Sequence, residues 1–263
     1  MPDVEVYRQY LACHALRQEI ADVWVPRPGI LASLSPDEVA HRLHGRAFAR
    51  TARHGKHLFV ELSDPGPSCW VRFHFGMTGF LAYGSREEQA APYTRLSVFF
   101  VNGYRLSYAA QRALGHVGLV DSPEDYVRRN GLGPDAWDAA RDFRTFRQLL
   151  TGRRGGLKSA LMDQRLIAGL GNVYADEILF QAGLRPSARA DELDNGSLRA
   201  VFEATREVLQ VAVECGAEPG RMPGSWLLPL RRQGTACPRC GAGIRWIKVT
   251  GRSAYYCPMC QSG

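Results

Sequence analysis

No carboxylate occurs between Pro219 and Gly263, although the chain carries 26 Asp and Glu elsewhere. Seven cations do occur there: Arg221, Arg231, Arg232, Arg239, Arg245, Lys248 and Arg252. With 33 Lys and Arg in all, the other residues are balanced at 26 of each sign, so the net charge of +7 belongs to this one segment. A one-signed segment on a neutral body suits a polyanion, because each cation near a phosphate releases a condensed counterion; a solvated charge run is the competing explanation. Also missing is any uninterrupted apolar run as long as a membrane span. The opening MPDVEVYRQY reads as an amphipathic helix start rather than a signal peptide, so no membrane partner and a cytoplasmic, nucleoid-associated location are predicted. There is no internal repeat and no low-complexity tract. The seven cysteines do not make a disulfide scaffold: Cys13, Cys69 and Cys215 stand alone in apolar surroundings and are expected as reduced core residues.

At 263 residues the chain is long enough for two cores. Val4, Tyr7, Leu11 and Ala15 share one face of a helix over residues 3–20, and a second short helix over 36–43 follows a Ser35 cap. Between Arg46 and Val120 the period becomes two. HLFVELS, SCWVRFHF, GFLAYG, RLSVFFV and YRLSYA are short strand-like runs, and Asn102-Gly103 signals a type I′ hairpin. Such runs predict an antiparallel sandwich or barrel. Residues 122–134 read as a linker, 136–216 as mostly helical and 217–235 as irregular. The predicted class is therefore α+β with two domains. Residues 1–121 hold the helix and β-sandwich, 122–135 the linker, 136–218 the helical domain, and 219–263 a basic loop with a metal-binding end.

Residues 161–186, LMDQRLIAGLGNVYADEILFQAGLRP, predict two short helices joined by a glycine-rich turn. Leu157, Ala160 and Leu161 are apolar at helical spacing on the first. Val173, Ile178 and Leu179 follow Asn172, a capping residue type, on the second, which Gly183 and Pro186 close. Gly169 and Gly171 leave the turn backbone unshielded, so it can approach a phosphate and donate to it. Glycines that merely permit close helix packing would look the same.

Cys237-Pro-Arg-Cys240 and Cys257-Pro-Met-Cys260 lie 16 residues apart, a spacing suited to one four-cysteine zinc site. Four thiolates close the tetrahedron and leave no position for water, so one Zn²⁺ is predicted in a structural role, in preference to a redox pair. The residues between the knuckles read as a hairpin turning at Thr250-Gly251. Arg252 at its tip is either metal-positioned or an ordinary exposed arginine.

Taken together, these segments resemble the formamidopyrimidine-DNA glycosylase/endonuclease VIII family. DQRLIAGLGNVYADEILFQAGLRP looks like its helix-two-turn-helix and GRSAYYCPMCQ like its zinc-finger end. HGKHL, HFGMTGFL and LGPDAW resemble its sandwich and interdomain motifs. The resemblance implies a base-excision repair enzyme, a DNA glycosylase with AP lyase activity, acting as a monomer on damaged double-stranded DNA. It also implies roles. Lys56, Asn172 with Gly171, and Arg252 would contact phosphate, with Lys158 a further candidate. Met77, Arg112 and Leu114 would fill the gap left by an extruded base, although Met77 alone could be a core residue. Leu114 stands where one branch has phenylalanine.

The implied nucleophile is an N-terminal proline amine, freed by removal of Met1, with a neighbouring glutamate as acid and base. Here the start is Met1-Pro2-Asp3-Val4-Glu5. Counted from the terminus, Pro2 is the nucleophile and Asp3 replaces the glutamate, with Glu5 a possible substitute and Lys56 completing the catalytic set. Matched by the helix instead, VEVYRQYL follows a second Pro-Glu of the family and the pair is missing. Pro2 at the first helical position and Asp3 at the positive end of the dipole also have a purely structural explanation. Two classes of function follow: the enzyme, or a protein that binds abasic or distorted DNA with lost or altered lyase chemistry; a monofunctional glycosylase, which releases the base without nicking, sits between them. Arg221, Trp226 and Arg231 are expected on a loop over the extruded base.

Overall fold

A computed structural model describes residues 1–64 and 66–262. The chain divides into two compact units, Val4–Asn130 and the residues from Gly131 onward, the latter joined by Met1–Asp3.

In the first unit α1 (Pro2–His14) buries Val4 and Leu11, as its spacing predicts, and α2 (Pro36–Leu43) buries Val39 and Leu43. Ser35 caps α2 through a reciprocal box with Glu38. Eight strands accompany them: β1 (Ile20–Trp24), β2 (Phe48–His54), β3 (His57–Leu62), β4 (Trp70–His74), β5 (Gly79–Ser85), β6 (Thr94–Phe100), β7 (Tyr104–Ala110) and β8 (His116–Val120). They form two antiparallel four-stranded sheets, ordered β1-β6-β7-β5 and β2-β3-β4-β8. Leu58, Val60, Val71, Phe73 and Val117 face the shared core with Val98, Phe100 and Leu106. Strands β1, β2 and β8 are not among the runs legible as strands, since FARTARH and HVGLV are too polar or too short to alternate clearly. The hairpin at Asn102-Gly103 forms, but not as type I′. Only Gly103 has positive φ (+84°), and its N–H donates to Phe100 O at 3.1 Å, the three-residue arrangement with a glycine bulge. Residues 123–129 are not a linker. They form α3 (Pro123–Arg129), capped by Ser122, with Tyr126 laid on the second sheet against His57, Phe59 and Arg72.

The second unit holds α4 (Ala136–Ala139), α5 (Phe143–Leu150), α6 (Leu157–Met162), α7 (Asn172–Gln181) and α8 (Asn195–Glu214), then the hairpin β9 (Arg245–Val249) and β10 (Arg252–Tyr256). Its core gathers Phe146, Leu150, Leu157, Leu161, Ile178, Leu179, Val201 and Val208. Residues 219–221 and 228–230 make short 3-10 turns in the stretch read as irregular. Thr250 and Gly251 both have positive φ, so the strict two-residue type I′ turn occurs here. Of the three isolated cysteines only Cys69 is buried. Cys13 is exposed and Cys215 half-buried, so the core assignment holds for one of them.

Candidate nucleic-acid interface and metal centre

The glycine turn between α6 and α7 is laced by one side chain. Gln164 donates from Nε2 to Met162 O (2.8 Å) and Leu170 O (2.9 Å), while its Oε1 accepts from Gly169 N at 2.9 Å. Gly169 sits at φ +119°, a conformation open only to glycine. The segment 133–136 braces the same turn: Gly133 N donates to Gln164 O (2.9 Å), Ala168 N to Pro134 O (2.9 Å) and Ala136 N to Ala168 O (2.8 Å). A Cβ on Gly133 would lie 2.5 Å from Arg165 O, which is why this crossing needs glycine. Gly171, not Asn172, is the N-cap of α7, and no side chain caps it. Asn172 is the first helical residue, and its Oδ1 is buried with no donor. A bare N-terminus on a three-turn helix presents partial positive charge to an anion. Gly183 closes the helix as predicted, at φ +71°, with Leu184 N reaching back to Leu179 O.

The four knuckle sulfurs lie within 4.8 Å of one another. A tetrahedral Zn²⁺ with bonds of about 2.3 Å needs sulfurs about 3.8 Å apart; Cys237 and Cys260 are at 3.8 Å and Cys240 and Cys257 at 3.4 Å. Arg239 N and Cys260 N point at Cys237 and Cys257 Sγ (3.5 and 3.4 Å), as knuckle amides do toward thiolates. These residues fit one Zn²⁺, which would supply charge and rigidity and no chemistry.

Asp176, fully buried on α7, joins this finger to the helix pair. Its Oδ1 lies 2.6 Å from Lys158 Nζ, and its Oδ2 accepts from Arg231 (2.7 and 3.0 Å) and from Tyr255 N (3.2 Å). The Lys158 ammonium also donates to Ser253 O at 2.8 Å. Burial pulls the lysine downward in pKa while Asp176 opposes it. Next on the helix, Glu177 Oε2 accepts from Leu228 N at 2.6 Å and anchors the start of the 228–230 turn; burial raises its pKa.

At the chain start, Met1 is buried in the helical core and its ammonium donates to Gly169 O at 3.1 Å. Pro2 is buried at the head of α1 and Asp3 is exposed.

In the first unit, two loops present one exposed trio. Met77 is 72% and Leu114 53% exposed, and Arg112 Nη1 lies 3.6 Å from Met77 Sδ. Glycines bring the loops together: a Cβ on Gly76 would lie 2.7 Å from Gly115 N, and one on Gly115 only 2.2 Å from His74 O and Tyr108 Oη. Arg112 N donates to Thr78 Oγ1 at 3.1 Å, tying the second loop to the first.

Lys56 follows Gly55 (φ +58°) in the two-residue turn between β2 and β3. Beside it runs a row of imidazoles across three strands, His57, His74 and His116, in register. Ring centroids are 5.1 and 4.9 Å apart. Burial, then the charges of His74 and Arg72, push His57 down to about 2; burial, then His116, Arg72 and Lys56, push His74 down to about 4. The row is therefore neutral at pH 7.

Models of the formamidopyrimidine-DNA glycosylase N-terminal domain, the formamidopyrimidine-DNA glycosylase H2TH domain and the zinc finger found in FPG and IleRS match residues 1–117, 132–222 and 234–263. Formamidopyrimidine-DNA glycosylase of Acaryochloris marina is 33% identical, with 99% of this chain and 98% of the relative covered. That of Synechocystis is 32% identical, covering 99% and 97%. The chain belongs to the formamidopyrimidine-DNA glycosylase family. Among solved structures, Lactococcus lactis Fpg in complex with abasic-site DNA superposes with a TM-score of 0.88 at 28% identity, covering 100% of this chain and 99% of that one. A complex of the same protein with Fapy-dG DNA gives 0.86 at 27%, covering 100% and 99%.

Against the family expectations, Met77, Arg112 and Leu114 come together in one unit, and the glycine turn and the finger come together in the other. Lys158 departs from them. At 1% exposure its ammonium is spent on Asp176 and Ser253, so it is not presented to a phosphate. Glu5 departs too: its carboxylate accepts from Arg8 (2.6 Å), Gln9 (3.1 Å) and Arg53 (3.0 Å). Burial opposes ionisation there, but the two arginines win and hold its pKa below the usual carboxylate range, so Glu5 is a poor proton donor. Trp226 is 3% exposed and belongs to the helical core, and Arg231 to the Asp176 cluster, so neither covers a ligand as the loop reading expected. Gln164, Asp176, Glu177 and the histidine row went unread in the sequence. The only signal for Gln164 was its place one residue after the Asp163 that opens the turn.

Proposed function

We propose that this family member is a base-excision DNA glycosylase with AP lyase activity, excising oxidised or ring-opened bases from damaged double-stranded DNA. The observation that carries the reading is the exposed trio. Burying an apolar side chain of this size against a base stack is worth roughly 1.5–3 kcal/mol, comparable with the few kcal/mol that extruding a nucleotide costs. Met77 and Leu114 are the wedge, and Arg112 beside them donates to the unpaired opposite base. Asn172 at the bare helix N-terminus, Arg252 on the finger and Lys56 grip phosphates.

With Met1 removed, the Pro2 secondary amine attacks the anomeric carbon, the glycosidic bond breaks and the base leaves with the amine's proton; the C1′–O4′ ring bond then opens, O4′ takes a proton from Asp3, and an iminium between C1′ and the Pro2 nitrogen remains. Elimination from that Schiff base nicks the strand. Asp3 is the acid and base at the sugar, one methylene shorter than glutamate. A displacement of about 1 Å can cost about a hundredfold in rate, so slow turnover is expected. The setting is a monomer acting in the cytoplasm on the nucleoid.

The second reading rests on the atypical start, where Asp3 is one methylene short of the family's glutamate. A chain that kept Met1 would have an amide at the Pro2 nitrogen and no free amine, and would bind abasic duplex without scission. Incubation with duplexes carrying one formamidopyrimidine or one 8-oxoguanine separates the readings: base release and nicking support the enzyme, while tight binding with an intact strand supports the binding protein.

A further inference from the structure

We propose that Asp176 is a positioning residue for Arg252, so that the finger's grip on phosphate depends on a carboxylate no DNA reaches. This rests on the reading of Arg252 as a phosphate contact.

Arg252 is exposed at the first position of β10, and the chain around it is tied to the helix pair at three points. Before it, Thr250 Oγ1 lies 3.0 Å from Ser159 Oγ. After it, Ser253 O accepts from Lys158 at 2.8 Å, and Tyr255 N donates to Asp176 at 3.2 Å. Two of the three tethers end in the Asp176 cluster, and Arg231, held by the same carboxylate, lies over the Tyr255 ring at 5.1 Å. The metal knuckle fixes Cys257, two residues beyond this stretch, and does not reach Arg252. The cluster rather than the zinc therefore sets the start of β10.

Its charge points the same way. Asp176 meets two cations, Lys158 and Arg231, leaving an excess of one positive charge in a buried place, with Arg252 adding a second beside it. A phosphate docked on Arg252 supplies the missing anion. Without Asp176, Lys158 and Arg231 would repel each other, release Ser253 and Tyr255, and let Arg252 swing.

The test is abasic-duplex binding by the full chain across a salt series, with zinc content measured in parallel. One lost phosphate contact lowers the slope of log K against log salt by about 0.9. Asp176→Asn is expected to retain one zinc per chain, to bind about tenfold more weakly at moderate salt, and to show that loss of slope. Arg252→Ala should give the same loss, and the double variant no further loss. If Asp176→Asn does not fold, Lys158→Met keeps the Asp176–Arg231 pair, cuts the Ser253 tether, and should lower the slope likewise. Wild-type slope in the Asp176 and Lys158 variants, alongside a reduced slope in Arg252→Ala, overturns the positioning role and leaves the phosphate reading standing. An unchanged slope in Arg252→Ala overturns both.

Discussion

Replacing Gly115 by alanine isolates the contact that holds the exposed trio together. Gly115 does not have positive φ, so alanine meets no backbone penalty and the effect is purely steric. The new Cβ would lie 2.2 Å from His74 O and 2.2 Å from Tyr108 Oη, and 2.9 Å from Phe75 C. Carbon and oxygen normally approach no closer than about 3.2 Å, so about 1 Å of overlap falls on β4 and on a buried tyrosine. Overpacking of that size costs about 1–3 kcal/mol. At about 3–4 °C per kcal/mol for units of this length, Tm should fall by about 3–12 °C. Relief by moving the 111–115 loop parts Arg112 from Met77, now 3.6 Å apart, and a 1 Å shift of the wedge should slow single-turnover base release by about a hundredfold. Gly103→Ala is the control, since no atom lies within 4 Å of its Cβ and only its φ of +84° is strained; it should lower Tm slightly and leave release untouched. A Gly115→Ala protein with wild-type Tm and wild-type release would refute the proposed backbone lock.

Met77→Ala should change stability by less than about 0.5 kcal/mol, because the side chain is 72% exposed, yet slow base release about tenfold; thermal unfolding beside single-turnover kinetics separates the two. Chelation of zinc, or Cys257→Ser, should release the finger and weaken abasic-duplex binding at least tenfold, with one zinc per chain found before treatment. The histidine row makes stability fall in acid. His57 and His74 have folded pKa values of about 2 and 4 against an ordinary 6.5, so the unfolded chain binds protons first as pH drops below 6.5. Stability should decline from there toward pH 4, by roughly 2 kcal/mol for each ring after allowing for partial exposure. Denaturant titrations of His74→Asn should show a shallower decline, and an unchanged profile would contradict the assignment.

The parts legible in the sequence were those whose causes are local. The cysteine knuckles, the α7 glycines and the Thr250-Gly251 turn each depend on residues within a few positions of one another, and each is where the pattern put it. What escaped depends on partners far apart in the chain. Lys158 reads as an ordinary helix lysine until Asp176, on the next helix, takes its charge. The three histidines are spread from 57 to 116 and meet only through strand register. The stretch around Tyr126 looks like a linker because its apolar content is low, yet one ring packed on His57 and Arg72 suffices to seat it on the sheet. Asn102-Gly103 has the composition of a type I′ turn, but the strands leave three residues to close the loop, and the geometry changes with that count.

Borohydride reduction during incubation with an abasic duplex, followed by peptide mapping of any covalent adduct, tests the central claim most directly. The account predicts a trapped complex with the sugar joined to the nitrogen of Pro2, lost in Pro2→Gly and absent from any fraction that retains Met1. A protein fully processed to Pro2 that binds the duplex tightly yet yields no adduct, or one joined at a lysine, would contradict it.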